Sequence, residues 1–277
     1  MLNKTGNIQT FLGCNANYNE AQIVIFGAGY DGTTSNRPGS RFAPAAMRAE
    51  SYGLETYSPY LDKDLEEDAK VYDAGDLELY GRSASAMLNI VEQATSEILE
   101  MGKIPMMIGG EHLVTLGAIR AMAKKYPDLH IIHYDAHADL RQDYLGEELS
   151  HATVMRRCHD LLGDEKIFQV GVRSGTKEEF VWRKQHLAQT LENFMDKPVY
   201  FTLDLDVLDP SVLSGTGTPE AGGMTFMELL NDMLHLQKFN VVGCDIVELA
   251  PNYDPSSVST AAACKILREL LLVMGGI

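Results

Sequence analysis

Short apolar segments alternate along the chain with longer segments of helical periodicity. The apolar segments are rich in Val and Ile and nearly continuous, at residues 22–28, 104–109, 129–135, 167–172, 198–204 and 240–247. Runs of this kind are typical of strands in a parallel sheet that is covered on both faces. Helical spacing is clearest between them, at residues 85–101, 113–125, 177–189, 225–237 and 256–274. The pattern predicts an α/β fold, a three-layer α-β-α sandwich with a mainly parallel central sheet.

Residues 1–277 are predicted to form a single domain. A chain of 277 residues is long enough for one large α/β domain or two small ones. No shift in composition, no internal repeat and no Pro- or Ser-rich linker marks a boundary along it. Pro44 suits the first turn of a further helix in the segment FAPAAMRAE, and Gly102 ends the helix that begins near Ser85.

The composition argues against nucleic-acid and membrane partners. A net charge of −16 argues against a nucleic-acid partner, which would require a basic surface. No apolar run reaches the roughly 18 residues of a membrane span, so no membrane partner is expected. The four cysteines lie far apart and form no C-x-x-C pair, namely Cys14, Cys158, Cys244 and Cys264. They predict free buried thiols and a cytoplasmic protein.

Acidic and imidazole side chains follow four of the predicted strands. In a parallel α/β sheet, ligands bind outside the carboxyl ends of the strands, so these side chains are expected to meet at one edge. The residues are His112 after strand 104–109, Asp135, His137 and Asp139 at the end of strand 129–135, Asp204 and Asp206 after strand 198–204, and Asp245 and Glu248 near the end of strand 240–247.

The groups D-x-H-x-D and D-x-D indicate a metal site. In an extended segment, positions two apart share a face, so Asp135, His137 and Asp139 can converge on one point. Carboxylates held together destabilise the fold unless a cation lies between them. Other polar residues have simpler interpretations: Asp209 and Asp254 as helix caps or turn formers, and His133 as a core histidine with satisfied hydrogen bonds.

The donor set favours two metal ions over one. Four carboxylates with two imidazoles are too many for one tetrahedral zinc. Mixed Asp and His ligation without thiolate suits a harder ion such as Mn²⁺, although affinity alone leaves Ni²⁺, Co²⁺ and Zn²⁺ open. Two divalent ions that share carboxylates form the arrangement that activates water at neutral pH.

Ordered motifs with this chemistry resemble the ureohydrolase family, which includes the arginases and their relatives. The resemblance covers most of the chain and is carried by GYDGTTSNRPGSRFAPAAMR (29–48), GGEH (109–112), DAHADLR (135–141), SHATVMRR (150–157), TLDLDVLDP (202–210), GTGTPEAGG (215–223) and DIVELAPNYD (245–254). It implies an arginase-like α-β-α catalytic domain with two Mn²⁺ per chain, a small cationic guanidino substrate, and a homo-oligomer that is a trimer or hexamer.

The resemblance also implies a role for each site residue. One manganese would be held by His112, Asp135, Asp139 and Asp204, and the second by Asp135, His137, Asp204 and Asp206. Three residues would be catalytic: Asp139 would pass a proton to the leaving amine, His151 in SHATVMRR would be a mobile proton shuttle, and Glu248 would pair with the substrate guanidinium.

The loops favour agmatine, hydrolysed to putrescine and urea. Ser174 stands where arginases have an aspartate that grips the amino-acid head group, and the segments DYLGEELSHA, GTGTPEAGGMT and ELAPNYD resemble those of agmatinases. Guanidinobutyrate, guanidine, arginine and formiminoglutamate stay open as substrates, and Asp143, Glu147 and Glu148 are candidates for binding an amine tail.

Two other classes also stay open. One is a deacetylase-like enzyme with a single zinc, which would not need the extra pair Asp139 and Asp206. The other is a non-enzymatic protein that keeps metals for stability.

Overall fold

The computed structural model describes residues 4–5 and 9–275 of the chain. Ten strands are present in that part: β1 Lys4–Thr5, β2 Ile23–Ala28, β3 Tyr57–Ser58, β4 Lys63–Asp64, β5 Val71–Leu77, β6 Ile104–Gly109, β7 His130–Tyr134, β8 Ile167–Val170, β9 Pro198–Asp204 and β10 Asn240–Val247. Strands β3 and β4 pair only with each other. The other eight form one sheet in the order β1-β5-β2-β6-β10-β9-β7-β8, parallel throughout except at β1.

Helices cover both faces of this sheet. They are α1 Ala43–Ser51, α2 Leu65–Asp68, α3 Ala84–Glu100, α4 Val114–Lys125, α5 Val154–Leu162, α6 Lys177–His186, α7 Phe226–His235 and α8 Val258–Met274. Helices α1, α7 and α8 pack in one apolar core, and α3, α4 and α5 pack in another on the opposite face. The three-layer α-β-α sandwich expected from the sequence is therefore confirmed. None of the helices in the described ranges is long and apolar enough to cross a membrane.

The order of the strands brings four carboxyl ends together. Strands β9 and β10, the last two along the chain, insert between β6 and β7, so that β6, β10, β9 and β7 are neighbours. The β10–β9 register shifts between Val241 and Gly243, and beyond that point Ile246 of β10 lies opposite Ile108 of β6 and Leu203 of β9. Because the strands are parallel, the loops that follow all four leave from the same edge of the sheet.

The apolar pattern misses β5 and α5, together with the short elements β1, β3, β4 and α2, and it locates the other helices and strands closely. Strand β5 reads VYDAGDL, in which Asp73 and Asp76 interrupt the apolar run. Both carboxylates face Arg48 of α1: its guanidinium donates two bonds to Asp73, at 2.7 and 2.9 Å, and one to Asp76. The four cysteines are buried free thiols, as predicted.

Replacing Arg48 by Ala is expected to lower the free energy of unfolding by about 3–5 kcal/mol, the usual cost of breaking a buried ion pair from one side. Arg48 is 1% exposed and Asp73 is 6% exposed, so the carboxylate would be left without its cation and away from water. Urea denaturation followed by circular dichroism measures the change. The exposed Arg82 gives a matched control, and Arg82→Ala should stay within about 0.5 kcal/mol. Equal stabilities for the two variants would show that the Arg48 cluster does not stabilise the fold.

Candidate active site

A cleft of about 300 Å³ lies at the carboxyl edge of the sheet. Residues from the loops after three of the four central strands line it, and His151 comes from the end of the long loop that joins β7 to α5. The lining includes His137, Asp139, His151, Asp204 and Glu248. The topology thus places five of the predicted site residues in one concave surface.

The imidazole of His112 is surrounded by carboxylates. Its Nδ1 atom lies 3.0 Å from Asp135 Oδ2, 3.3 Å from Asp204 Oδ2 and 3.5 Å from Asp139 Oδ2. Nδ1 is buried and has no hydrogen-bond partner. A buried nitrogen that faces three carboxylate oxygens requires a cation, either a proton on the ring or a metal ion.

The opposite side of the same ring shows which nitrogen is available to a metal. His112 Nε2 lies 3.0 Å from Thr202 Oγ1, and Thr202 gives its single hydroxyl proton to Asp245 Oδ1 at 2.6 Å. Thr202 must therefore accept a hydrogen bond from Nε2–H, since its own proton is already engaged. The neutral imidazole then directs the lone pair of Nδ1 at the carboxylates, as a metal-binding histidine does.

Asp135 lies among three imidazoles, those of His112, His137 and His133. Its Oδ2 atom faces His112, and its Oδ1 atom lies 3.5 Å from His137 Nδ1. His137 Nδ1 in turn lies 2.9 Å from Asp206 Oδ2. The arrangement gives two adjacent groups of donors joined through one carboxylate, as a pair of metal ions with a shared ligand would need.

Asp204 and Asp206 are held beside them by the backbone. The amide of Asp206 donates to Asp204 Oδ1 at 2.8 Å, and the amide of Ala136 donates to Asp206 Oδ1 at 3.0 Å. These bonds orient both carboxylates and tie the loop after β9 to the loop after β7.

The pKa values in this cluster show how strongly it attracts a cation. Burial would lower the pKa of His112, but the nearby carboxylates of Asp135 and Asp204 outweigh burial and hold that pKa well above its ordinary value. Burial likewise opposes a charge on His137, whose bonds to Asp135 and Asp206 raise its pKa to about 12. Burial and the charges of neighbouring carboxylates hold the pKa of Asp204 and of Asp139 well above normal. Cations must compensate this concentration of negative charge.

Two of the predicted catalytic residues have an unusual backbone conformation. Asp139 has φ of 53° and Glu248 has φ of 64°. A non-glycine residue in the left-handed region costs about 1–3 kcal/mol and persists only where the surroundings enforce it. The sequence predicts an extended D-x-H-x-D segment, but β7 ends at Tyr134 and Asp139 lies in the irregular loop that follows. The side chains still converge, by loop geometry rather than by strand alternation.

Glu248 is buried at the cleft, and a second acidic residue, Glu111, lies close enough to affect its pKa. Its Oε1 atom accepts a hydrogen bond from the amide of His112 at 2.8 Å. Burial and the charge of Glu111 raise the pKa of Glu248 to about 8, and burial raises the pKa of Glu111 to about 7. Such a carboxylate would gain considerably from a cationic substrate.

His151 lies at the cleft, between two loops. Its Nδ1 atom is 3.0 Å from the carbonyl of Thr33 and its Nε2 atom is 3.4 Å from Ser35 Oγ. The ring meets Tyr144 edge to face at 5.6 Å. Burial lowers the pKa of His151, so that the neutral ring, which can accept a proton, predominates at neutral pH.

Comparison with known proteins places this site in a family. The model of the Arginase family matches residues 21–273. The chain belongs to the arginase family.

An agmatinase of Bacillus anthracis is 48% identical over 278 residues, covering 95% of this chain and 96% of its own. A guanidinobutyrase of Pseudomonas aeruginosa is 33% identical over 276 residues, covering 92% and 86%. The crystal structure of a Clostridium difficile protein described as a candidate agmatinase is 51% identical, with a TM-score of 0.90, and covers 94% of this chain and 99% of its own.

Arginase-family enzymes use a dinuclear divalent metal site, and this chain has candidate His and Asp ligand groups for one. All six predicted ligands are in or directly beneath the cleft, and none of them is displaced to another part of the fold. The oxygen-rich donor set fits hard divalent ions, and the buried Nδ1 atom of His112 adds an imidazole ligand of the kind that divalent transition ions accept. Assignment of each residue to an ion stays a prediction.

Three predicted interpretations of other residues are confirmed. His133 is a buried histidine with partners at both ring nitrogens: Nε2 lies 2.8 Å from Asp135 Oδ2, and Nδ1 lies 2.9 Å from the side-chain amide nitrogen of Gln169. The carboxylate of Asp209 accepts hydrogen bonds from the backbone amides of Ser211, Gly222 and Gly223 and so stabilises the turns of its loop. Asp254 accepts a bond from the amide of Ser259 in the first turn of α8.

Other expectations of the sequence analysis are corrected. Asp245 lies inside the sheet behind His112 and binds hydroxyl groups, among them those of Thr202 and Thr115. Asp143, Glu147 and Glu148 are exposed and are not among the residues that line the cleft, although Tyr144 of the same loop is.

Two functional neighbours were missed by the sequence analysis. Glu111 holds Thr33 through the backbone amide at 2.9 Å and the hydroxyl at 2.6 Å, and Thr33 in turn accepts a bond from the amide of His151. Glu179 lines the cleft and accepts a bond from the amide of Leu140 at 3.0 Å. The GGEH motif contained a signal for Glu111, whereas the local T-x-x-E pattern at Glu179 indicates only a capping box at the start of α6.

Proposed function

We propose that the chain is an agmatinase, a single catalytic domain that hydrolyses the guanidinium group of agmatine to putrescine and urea with two Mn²⁺ ions. The observation that carries this proposal is the buried nitrogen of His112 facing three carboxylates beside a cleft that contains Glu248. The high identity to an agmatinase over nearly the whole chain supports the choice of substrate. We also propose that the protein is a homo-oligomer, a trimer or hexamer, and that it is cytoplasmic. Its four free thiols suit the reducing conditions of the cytoplasm.

Six residues would hold the two ions. His112, Asp135, Asp139 and Asp204 would hold one, and Asp135, His137, Asp204 and Asp206 the other. When bound, two divalent ions supply activated water near neutral pH and stabilise negative charge at the reacting carbon. Mn²⁺ is favoured because oxygen donors predominate and thiolate is absent from the set.

Glu248 would bind and orient the substrate. A guanidinium is a planar cation with paired N–H donors, and a carboxylate matches it through charge-assisted hydrogen bonds. The amide of His112 holds Glu248 from behind at 2.8 Å, so the orientation of its carboxylate is set before substrate arrives. Burial makes the uncompensated charge costly, and a bound guanidinium relieves that cost.

Asp139 and His151 would move protons. Asp139 lines the cleft beside His112 and can take the proton of the attacking water and give it to the leaving amine. His151, kept neutral by burial and held by Thr33, can accept and release protons at the side of the cleft. The proton balance then closes, since the amine leaves protonated and urea leaves neutral.

Guanidinobutyrate is a second candidate substrate. Arg141 also lines the cleft, and its cation suits a tail that ends in a carboxylate. Glu179 offsets this charge, with its Oε2 atom 3.8 Å from Arg141 Nε. The guanidinobutyrase is also less similar to this chain, at 33% identity, than the agmatinase, at 48% identity.

Urea release with Mn²⁺ is expected to be fastest with agmatine. The assay compares kcat/KM for agmatine, guanidinobutyrate, arginine and guanidine, and agmatine should exceed the next best by about tenfold or more, since a mismatched charge at the tail costs at least about 1.4 kcal/mol. EDTA should abolish the activity and added Mn²⁺ should restore it. A higher kcat/KM for guanidinobutyrate would assign the second substrate, and urea release that is insensitive to EDTA would contradict the metal mechanism.

A further inference from the structure

A second histidine and aspartate cluster lies outside the cleft, where α5 and α6 end. His159 Nε2 lies 2.7 Å from Asp164 Oδ1, and His186 Nδ1 lies 2.9 Å from the same oxygen. One donor atom from each of the three residues falls within 4.8 Å of the others. The side chains of His159, His186 and Asp164 are 15%, 34% and 60% exposed, so an ion can reach them from solvent.

The backbone holds these three donors in place. His159 is in the last turn of α5, and the chain turns at Gly163 with φ of 87° to bring Asp164 back toward the helix. The amide of Glu165 then donates to the carbonyl of His186 at 2.8 Å and joins this turn to the end of α6. The ligands are therefore preorganised, which lowers the entropic cost of binding an ion.

The imidazole rings are also fixed by the indole of Trp182. It stacks on the ring of His186, with centroids 4.5 Å apart and planes 25° apart, and meets His159 edge to face at 4.6 Å. Arg156 lies over the same indole at 4.3 Å. Trp182 thus contacts both histidines of the cluster and reports on their state.

We infer that His159, Asp164 and His186 form a third metal site, for a divalent transition ion such as Ni²⁺ or Zn²⁺ that binds imidazole. Two imidazole nitrogens and one carboxylate oxygen are a donor set of the type that these ions accept, with solvent completing the coordination. Binding requires the lone pairs of His159 Nε2 and His186 Nδ1, so each N–H proton that now faces Asp164 moves to the other ring nitrogen or is released. An ion held there would cross-link α5 to α6. The net charge of −16 favours cations near the protein in general.

Fluorescence of Trp182 tests this site directly, because it is the only tryptophan of the chain. The protein is first loaded with Mn²⁺ and then titrated with NiCl₂, a paramagnetic ion that quenches a neighbouring indole. We expect saturable quenching, reversed by excess ZnCl₂ through competition for the same ligands. No quenching of the Mn²⁺-loaded protein would overturn the inference.

Variants separate this site from the cleft. His159→Asn, His186→Asn and Asp164→Asn should each weaken Ni²⁺ binding by about tenfold or more, since loss of even an outer partner of a metal ligand costs about 10- to 100-fold. His235→Asn removes an exposed histidine at the end of α7 and should bind like the original chain. Any exchange of Ni²⁺ for Mn²⁺ in the cleft would occur in all four variants, so it would not account for a difference between His235→Asn and the other three.

Equilibrium dialysis provides a second measurement that does not depend on the packing of Trp182. His186→Asn should lose one bound Ni²⁺ per chain relative to His235→Asn. Equal numbers of bound ions would show that the cluster is only a hydrogen-bonded link between helices.

Discussion

Asp135→Asn is expected to lower kcat for urea release by about 10³- to 10⁴-fold, the loss that an isosteric Asp-to-Asn change causes when a charged catalytic group is disabled. Asp135 is fully buried between His112 and His137, with one oxygen toward each imidazole. The amide removes one negative charge and replaces one oxygen by a nitrogen that cannot bind a cation. Both groups of donors are therefore affected by a single substitution.

Metal content must be measured with the rate. Atomic absorption should find less than two Mn²⁺ per chain in Asp135→Asn, while circular dichroism should show an unchanged fold. Asp196→Asn is a matched control at an exposed aspartate, and its kcat should change less than twofold. Undiminished turnover in Asp135→Asn, or full metal content with full activity, would assign the metals a structural role and would reject the proposed mechanism.

The chemistry of the cluster could be predicted because it depends on residue types and on strand ends. Asp135, His137 and Asp139 cannot be buried together without a cation, whatever the detailed path of the backbone. The apolar runs predicted which strands end beside them, and parallel neighbours share an edge. Even where the backbone differs, as at Asp139 with φ of 53°, the side chain reaches the predicted place.

What could not be predicted depends on contacts between distant segments. The pairing of Asp73 with Arg48 hides strand β5 from an apolar pattern, because two acids in seven residues resemble a loop. Glu111 and Glu179 belong to the site only because the loops at Thr33 and Leu140 fold against them. Such contacts link residues 78 and 39 positions apart, beyond any local periodicity.

Glu248→Gln is expected to lower kcat/KM for agmatine by about 10²- to 10³-fold, equivalent to about 3–4 kcal/mol, within the range for losing one partner of a buried charge pair. Gln keeps an oxygen that can accept the bond from the amide of His112, so the side chain retains its position and loses only its charge. The change is measured by steady-state urea release with Mn²⁺. Glu147→Gln, at an exposed glutamate outside the cleft lining, should remain within twofold.

The size of this loss across substrates tests which part of the substrate Glu248 contacts. If Glu248 pairs with the guanidinium, agmatine and guanidinobutyrate must lose nearly the same factor in kcat/KM, because they share that group and differ only in the charge of the tail. If Glu248 instead faces the tail, the substitution would penalise agmatine and favour guanidinobutyrate, since a negative charge near a carboxylate tail is removed. A ratio of the two kcat/KM values that shifts by tenfold or more (about 1.4 kcal/mol) toward guanidinobutyrate would contradict the proposed pairing and move Glu248 from the reacting end to the specificity end of the cleft.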